Sequence, residues 1–238
     1  MLKLLNIGQP EEYFVRLQRD KEYEIKTAFL DKGIAGACKS LADFQSPNVG
    51  LAIQWNQLNW LSKTVGVPNE ETFMEICSHL GDVKVLYLKR DDILGQAISL
   101  FLKNESGYTT SSDATELKIN RETVEYDSER LAWCYKHTLQ SYTNWENLLG
   151  KLNIDYCQIS YEHLCENVVA EMKHILNFIN VSRSETEIIE CSTCLSKIRN
   201  KKDELIRKQA LADDKLQSLL HQYGIWNANE NAQNPSTI

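Results

Sequence analysis

Between residues 82 and 103 the sequence DVKVLYLKRDDILGQAISLFLK changes its apolar period within a few residues. The near-continuous apolar run over 82–88 predicts a buried strand of the parallel type. Beyond Asp91, the residues Ile93, Leu94, Ala97, Ile98, Phe101 and Leu102 recur at helical spacing behind two carboxylates that favour a helix N-terminus. The segment is therefore a strand, a tight turn and a helix, with Arg90 just past the strand. DYCQIS at 155–160 predicts a second strand and NVGLAIQW at 48–55 a third, while 123–152 and 168–179 carry helical periods. Strands alternating with helices imply an α/β layer fold with a mostly parallel sheet.

The 238 residues fit one domain, expected over 1–226, followed by a loose polar tail at 227–238, where no apolar period survives. With 26 basic against 33 acidic side chains the net charge is −7, the wrong sign for indiscriminate binding of nucleic acid or anionic lipid. No stretch approaches the roughly 20 apolar residues of a membrane span, and the first residues are too short for a signal peptide, so a cytoplasmic protein is expected. The seven scattered cysteines suit reduced thiols. Cys191 and Cys194 form a C-x-x-C without a second pair, and the five histidines show no ligand spacing, so no metal is expected.

In α/β sheets ligands bind beyond the carboxyl ends of the strands, which places Arg90 where a ligand would sit. A guanidinium presents a planar fork of donors that matches phosphate oxygens, and Ser99 on the following helix can add one hydroxyl donor. GIAGACKS at 33–40 resembles a phosphate loop except that Cys38 stands where a glycine lets the backbone approach the phosphate. A helix would also have to start at once after Ser40, with only six residues before Pro47, so Gly33 is better read as a helix C-cap. Of the aromatic side chains, Trp55, beside Asn56 at the end of the expected third strand, has the best claim to line a ligand pocket, its alternative being a core side chain.

VLYLKRDDILGQAISLFLKNESGY, then YTNWENLL, then ISYEHLCENVVAEMKHILNFINV, resembles the 3′-phosphate-binding half of the sulfotransferases, specifically the trehalose 2-sulfotransferase-like family. GQPEEYF at 8–14, GLAIQWNQ at 50–57 and RKQA at 207–210 fall in the family's order, and the resemblance runs from Leu4 to Tyr223. It implies a P-loop-type three-layer fold and the donor 3′-phosphoadenosine 5′-phosphosulfate (PAPS), whose sulfuryl group moves to a hydroxyl of a carbohydrate or glycolipid without a metal. By the same resemblance Arg90 and Ser99 grip the donor's 3′-phosphate, and Arg207, Lys208 and Gln209 close over the nucleotide. Nucleotide and acceptor are then the partners; the oligomeric state stays open.

The family also carries a Ser/Gly/Thr-rich loop after its first strand, which wraps the 5′-phosphosulfate with backbone N–H groups. In relatives that loop stands just before the segment that here reads MLKLLNIGQPEEYF, so the first strand and this cradle are expected to be missing. Ala52 stands where the family usually has lysine. Gln9 stands where some relatives have a carboxylate, and an amide cannot take a proton from an acceptor hydroxyl. Glu11 and Glu12 are the remaining candidate bases, their alternative being solvated helix-start carboxylates. The second functional expectation is accordingly a catalytically inactive or truncated relative with a nucleotide-binding or interaction role.

Overall fold

The computed structural model of the chain describes residues 20–45, 49–106, 121–192 and 201–222. They form a helix-rich α/β arrangement with a small parallel sheet of two paired strands. In chain order come α1 (Asp20–Gln45), α2 (Trp55–Val65), α3 (Asn69–Leu80), β1 (Val85–Lys89), α4 (Ile93–Ser106), α5 (Ser128–Lys151), β2 (Tyr156–Ser160), α6 (Tyr161–Glu166), α7 (Val168–Phe178), α8 (Glu185–Ser192), α9 (Lys201–Ala212) and α10 (Asp214–Gln222). Two of the three expected strands are present. The chain divides into two compact units, one comprising Met1–Leu88, Asn144–Ile159 and His163–Ser196, the other Lys89–Thr143, Ser160–Glu162 and Lys197–Ile238.

In the first unit α3 packs against α1 and α2, burying Phe29, Ile34, Leu41, Leu58, Leu61 and Ile76. Gly33, at φ 67°, breaks α1 in the left-handed region that an L side chain rarely adopts. GIAGACKS is thus a helix break followed by helix. Its Lys39 Nζ donates to Asp43 Oδ2 at 2.7 Å, an exposed pair one turn apart, and the segment makes no phosphate loop.

The third expected strand, 48–55, is a correction: from Val49 the chain is irregular apart from an isolated bridge at Leu51, and Trp55 already begins α2. Two local forces explain the difference. Gln57 Oε1 accepts the Gln54 N–H at 2.8 Å and so fixes the start of α2. Leu51 lines a small cavity with Phe29, Ile34, Leu61 and Ile76, so much of its apolar surface is packed on helices. Around β2, Cys157 and Ile159 pack on Met172, Ile175, Leu176 and Ile188 of α7 and α8.

The second unit is built on α4, whose Leu94, Ala97, Ile98, Phe101 and Leu102 meet Leu131 and Tyr135 of α5, Ile206 and Ala210 of α9, and Leu216 and Leu220 of α10. The α4 stripe is the one read from the sequence. Helix α5 starts later than the period suggests because Asp127 Oδ1 accepts the Arg130 N–H at 3.0 Å and caps the helix there. Between α9 and α10, Asp213 Oδ1 accepts the N–H groups of Lys215 and Leu216, and Asp213 Oδ2 accepts the Tyr126 hydroxyl at 2.7 Å.

Cys38, Cys77, Cys134, Cys157 and Cys165 are free thiols, and burial pushes Cys38 and Cys134 up to about 11. Such thiols are poor nucleophiles at neutral pH. Among the described residues no helix is long and apolar enough to cross a membrane. The expected tail at 227–238 lies outside the described residues.

Candidate functional site

Arg90 and the side chains that surround it, from Asp92 and Tyr142 to Tyr161 and Arg207, belong to the second unit. The strand-end turn, Arg90 to Asp92, is tied down at each residue. The Arg90 N–H donates to Tyr142 Oη at 2.9 Å, and the Tyr142 hydroxyl in turn donates to Gln96 Oε1 in the first turns of α4. The Asp91 N–H donates to Glu162 Oε2 at 2.9 Å, and Asp91 Oδ2 accepts the Ser160 hydroxyl. Asp92 Oδ1 accepts the Gly95 N–H at 2.9 Å, the N-cap bond of α4, while Asp92 Oδ2 accepts from the Arg207 guanidinium of α9.

Tyr142 is buried, and burial, the largest influence on it, pushes its hydroxyl above the usual phenol range against the opposing Arg90 N–H and charge. It stays protonated and can keep donating to Gln96. The Lys89 ammonium lies 5.4 Å from the centre of the same ring.

Arg90 is half-buried, and its guanidinium carbon rests 4.1 Å from the centre of the Tyr161 ring. The five N–H donors of a guanidinium lie in its plane and point outward from its edge. Among the described residues the Arg90 guanidinium forms no ion pair and the half-buried Ser99 hydroxyl has no hydrogen-bond partner. A fixed cation with an uncommitted donor edge, at the end of a parallel strand, is chemically suited to a multiply charged oxyanion.

The other expected donor ligands fall into two groups. Arg207 is held on Asp92, with side-chain exposures of 28% and 19% for the two partners, so this pair is drier than the Arg130–Glu105 and Lys215–Glu129 pairs of the same unit. Lys208 and Gln209 are exposed on α9 between the buried Ile206 and Ala210. Gly95 explains how the pair is seated. A Cβ there would collide with Asp92 Oδ2 and lie 2.7 Å from Arg207 Nη2. Gly95→Ala gains up to about 1 kcal/mol of helix propensity, but overpacking of that kind costs about 1–3 kcal/mol. A lower urea midpoint is therefore expected, and an unchanged or raised one would show that the pair is not seated over the glycine.

Trp55 and Asn56 are in the first unit, at the start of α2 rather than at a strand's end. Trp55 meets Trp145 edge-on at 5.5 Å, and Trp145 meets Phe73 at 5.7 Å, an aromatic cluster in which Trp55 is half-buried and Asn56 exposed. Glu11 and Glu12 lie outside the described residues, as does Gln9. Among the described residues no group of three or more His, Cys, Asp or Glu could hold a metal ion. Tyr142, Tyr161 and Asp92 were not singled out as site residues from the sequence. Only the acidic pair after Arg90 gave a signal, as a helix start, and the two tyrosines reach the turn from distant parts of the chain.

Fold and site together define a class: a helix-rich α/β protein with a half-buried arginine over a tyrosine ring at the carboxyl end of a parallel strand. The family profile of the Stf0 sulphotransferases matches residues 6–206, and the chain belongs to that family. This is the family that the strand-turn-helix segment resembles. No curated protein matches the chain.

Proposed function

We propose that this sulfotransferase-family protein uses PAPS as donor and transfers its sulfuryl group to a hydroxyl of a carbohydrate or glycolipid. The observation that supports the reading is the Arg90 guanidinium, 4.1 Å over the Tyr161 ring and without an ion pair among the described residues. Its N–H edge suits the donor's 3′-phosphate, with Ser99 adding a hydroxyl and Lys208 and Gln209 reaching the nucleotide from α9. In the transfer the acceptor oxygen bonds to sulfur as the bond from sulfur to the 5′-phosphate oxygen breaks, and the acceptor's proton passes to a base, for which Glu11 and Glu12 are the candidates. Rate comes from alignment and from cations where charge gathers on the leaving phosphate. In this reading the two paired strands belong to a P-loop-type three-layer sheet, the sugar packs on Trp55 and Asn56, and the free thiols suit the reducing cytoplasm.

The direct test compares 3′-phosphoadenosine 5′-phosphate with adenosine 5′-phosphate by titration calorimetry. A charged hydrogen bond is worth about 1.5–3 kcal/mol, so the 3′-phosphate should add about tenfold or more in affinity. Equal affinities would remove the donor assignment. Ala52, where the family usually has lysine, favours a second reading in which the chain binds the nucleotide without turning it over. Tight binding together with no release of labelled sulfate or sulfated sugar from PAPS would select it.

A further inference from the structure

We propose that Arg207 is a positioning residue for this site, acting on donor binding through the Asp92 carboxylate and the turn that carries Arg90, rather than by touching the nucleotide. The inference rests on the reading of Arg90 as the phosphate ligand. Asp92 divides its two oxygens between the first turn of α4, through the Gly95 N–H at 2.9 Å, and the Arg207 guanidinium. The missing Cβ of Gly95 makes room for this contact. Ile206 and Ala210, 0% and 1% exposed, fix α9 against α4 on both sides of Arg207, so the guanidinium is delivered to Asp92 by a packed helix. The same first turns of α4 carry Gln96, which accepts from the Tyr142 hydroxyl that holds the Arg90 N–H. Arg207, Asp92, the start of α4, Tyr142 and the Arg90 backbone are therefore linked without a gap.

The sign of one substitution separates this role from the alternative. If Asp92 were only a competitor for Arg207, removing its charge would free the guanidinium and strengthen anion binding. If the pair holds the turn, the same change weakens binding even though it removes a negative charge. Asp92→Asn is the suitable variant because asparagine caps a helix about as well as aspartate.

The experiment measures 3′-phosphoadenosine 5′-phosphate affinity by calorimetry and amide hydrogen exchange of residues 90–96, in the wild type and in Asp92→Asn, Arg207→Ala and Arg207→Lys. Coupled side chains shift equilibria by about threefold or more. Asp92→Asn is expected to weaken binding by at least that factor, Arg207→Ala to speed exchange of the Arg90 and Gly95 amides by a similar factor, and Arg207→Lys to recover most of the protection. Unchanged or tighter binding in Asp92→Asn, or unchanged exchange in Arg207→Ala, overturns the proposal. If the wild type does not bind the nucleotide while exchange still responds to Arg207→Ala and is rescued by Arg207→Lys, the donor assignment falls and the positioning of the turn stands. Should Arg207→Ala fail to fold, Asp92→Asn decides.

Discussion

Arg90→Ala is expected to weaken binding of 3′-phosphoadenosine 5′-phosphate by about tenfold at the least, because a charged hydrogen bond contributes about 1.5–3 kcal/mol and a guanidinium fork can make two. The fold should survive the change. What anchors the turn is the Arg90 N–H on Tyr142 Oη, which alanine retains, and the side chain's neighbour is the Tyr161 ring rather than a buried carboxylate. Losing that stacking costs about 0.5–1 kcal/mol at a half-exposed site. Arg90→Lys keeps the charge but replaces the planar fork with a point charge, so an intermediate affinity is expected. Calorimetry of the three proteins at one ionic strength checks the series, and equal affinity for wild type and Arg90→Ala would refute the assignment of this arginine to the phosphate.

The second large effect concerns α4, the helix that carries Ser99. Phe101→Ala should cost about 3–5 kcal/mol, read from urea unfolding, since Phe101 is 0% exposed and is surrounded by Leu94, Ile98, Leu131, Ile206 and other buried side chains. Domains have only about 5–15 kcal/mol in total, so the variant should lose a large part of its stability. Leu30→Ala, at a side chain 60% exposed, is the control and should change the midpoint little. A loss below about 1 kcal/mol for Phe101→Ala would mean that α4 is not packed as described.

The parts of the site that were legible in the sequence are those set by short-range pattern. The period switch across 82–103 placed a strand, a turn and a helix, and the structure has β1 at Val85–Lys89 and α4 at Ile93–Ser106 with Arg90 between them. What the sequence concealed are contacts between residues far apart: Arg90 with Tyr142, 52 positions on, Asp91 with Glu162, 71 positions on, and Asp92 with Arg207, 115 positions on. No local period encodes such pairs, so the sequence offers Arg207 as part of the RKQA segment rather than as the partner of a capping carboxylate. The 48–55 error has a different origin. An apolar alternation there is compatible with a strand, yet the capping of α2 by Gln57 and the packing of the half-buried Leu51 on helical side chains satisfied the same residues.

The ring beneath Arg90 also bears on when the site is assembled. A free arginine side chain carries about 2 kcal/mol of rotamer entropy. A guanidinium already resting 4.1 Å above Tyr161 has surrendered much of that freedom as the chain folds. The ordering cost then falls on folding, which has a whole core to offset it, and an arriving anion meets a donor edge whose orientation is already set.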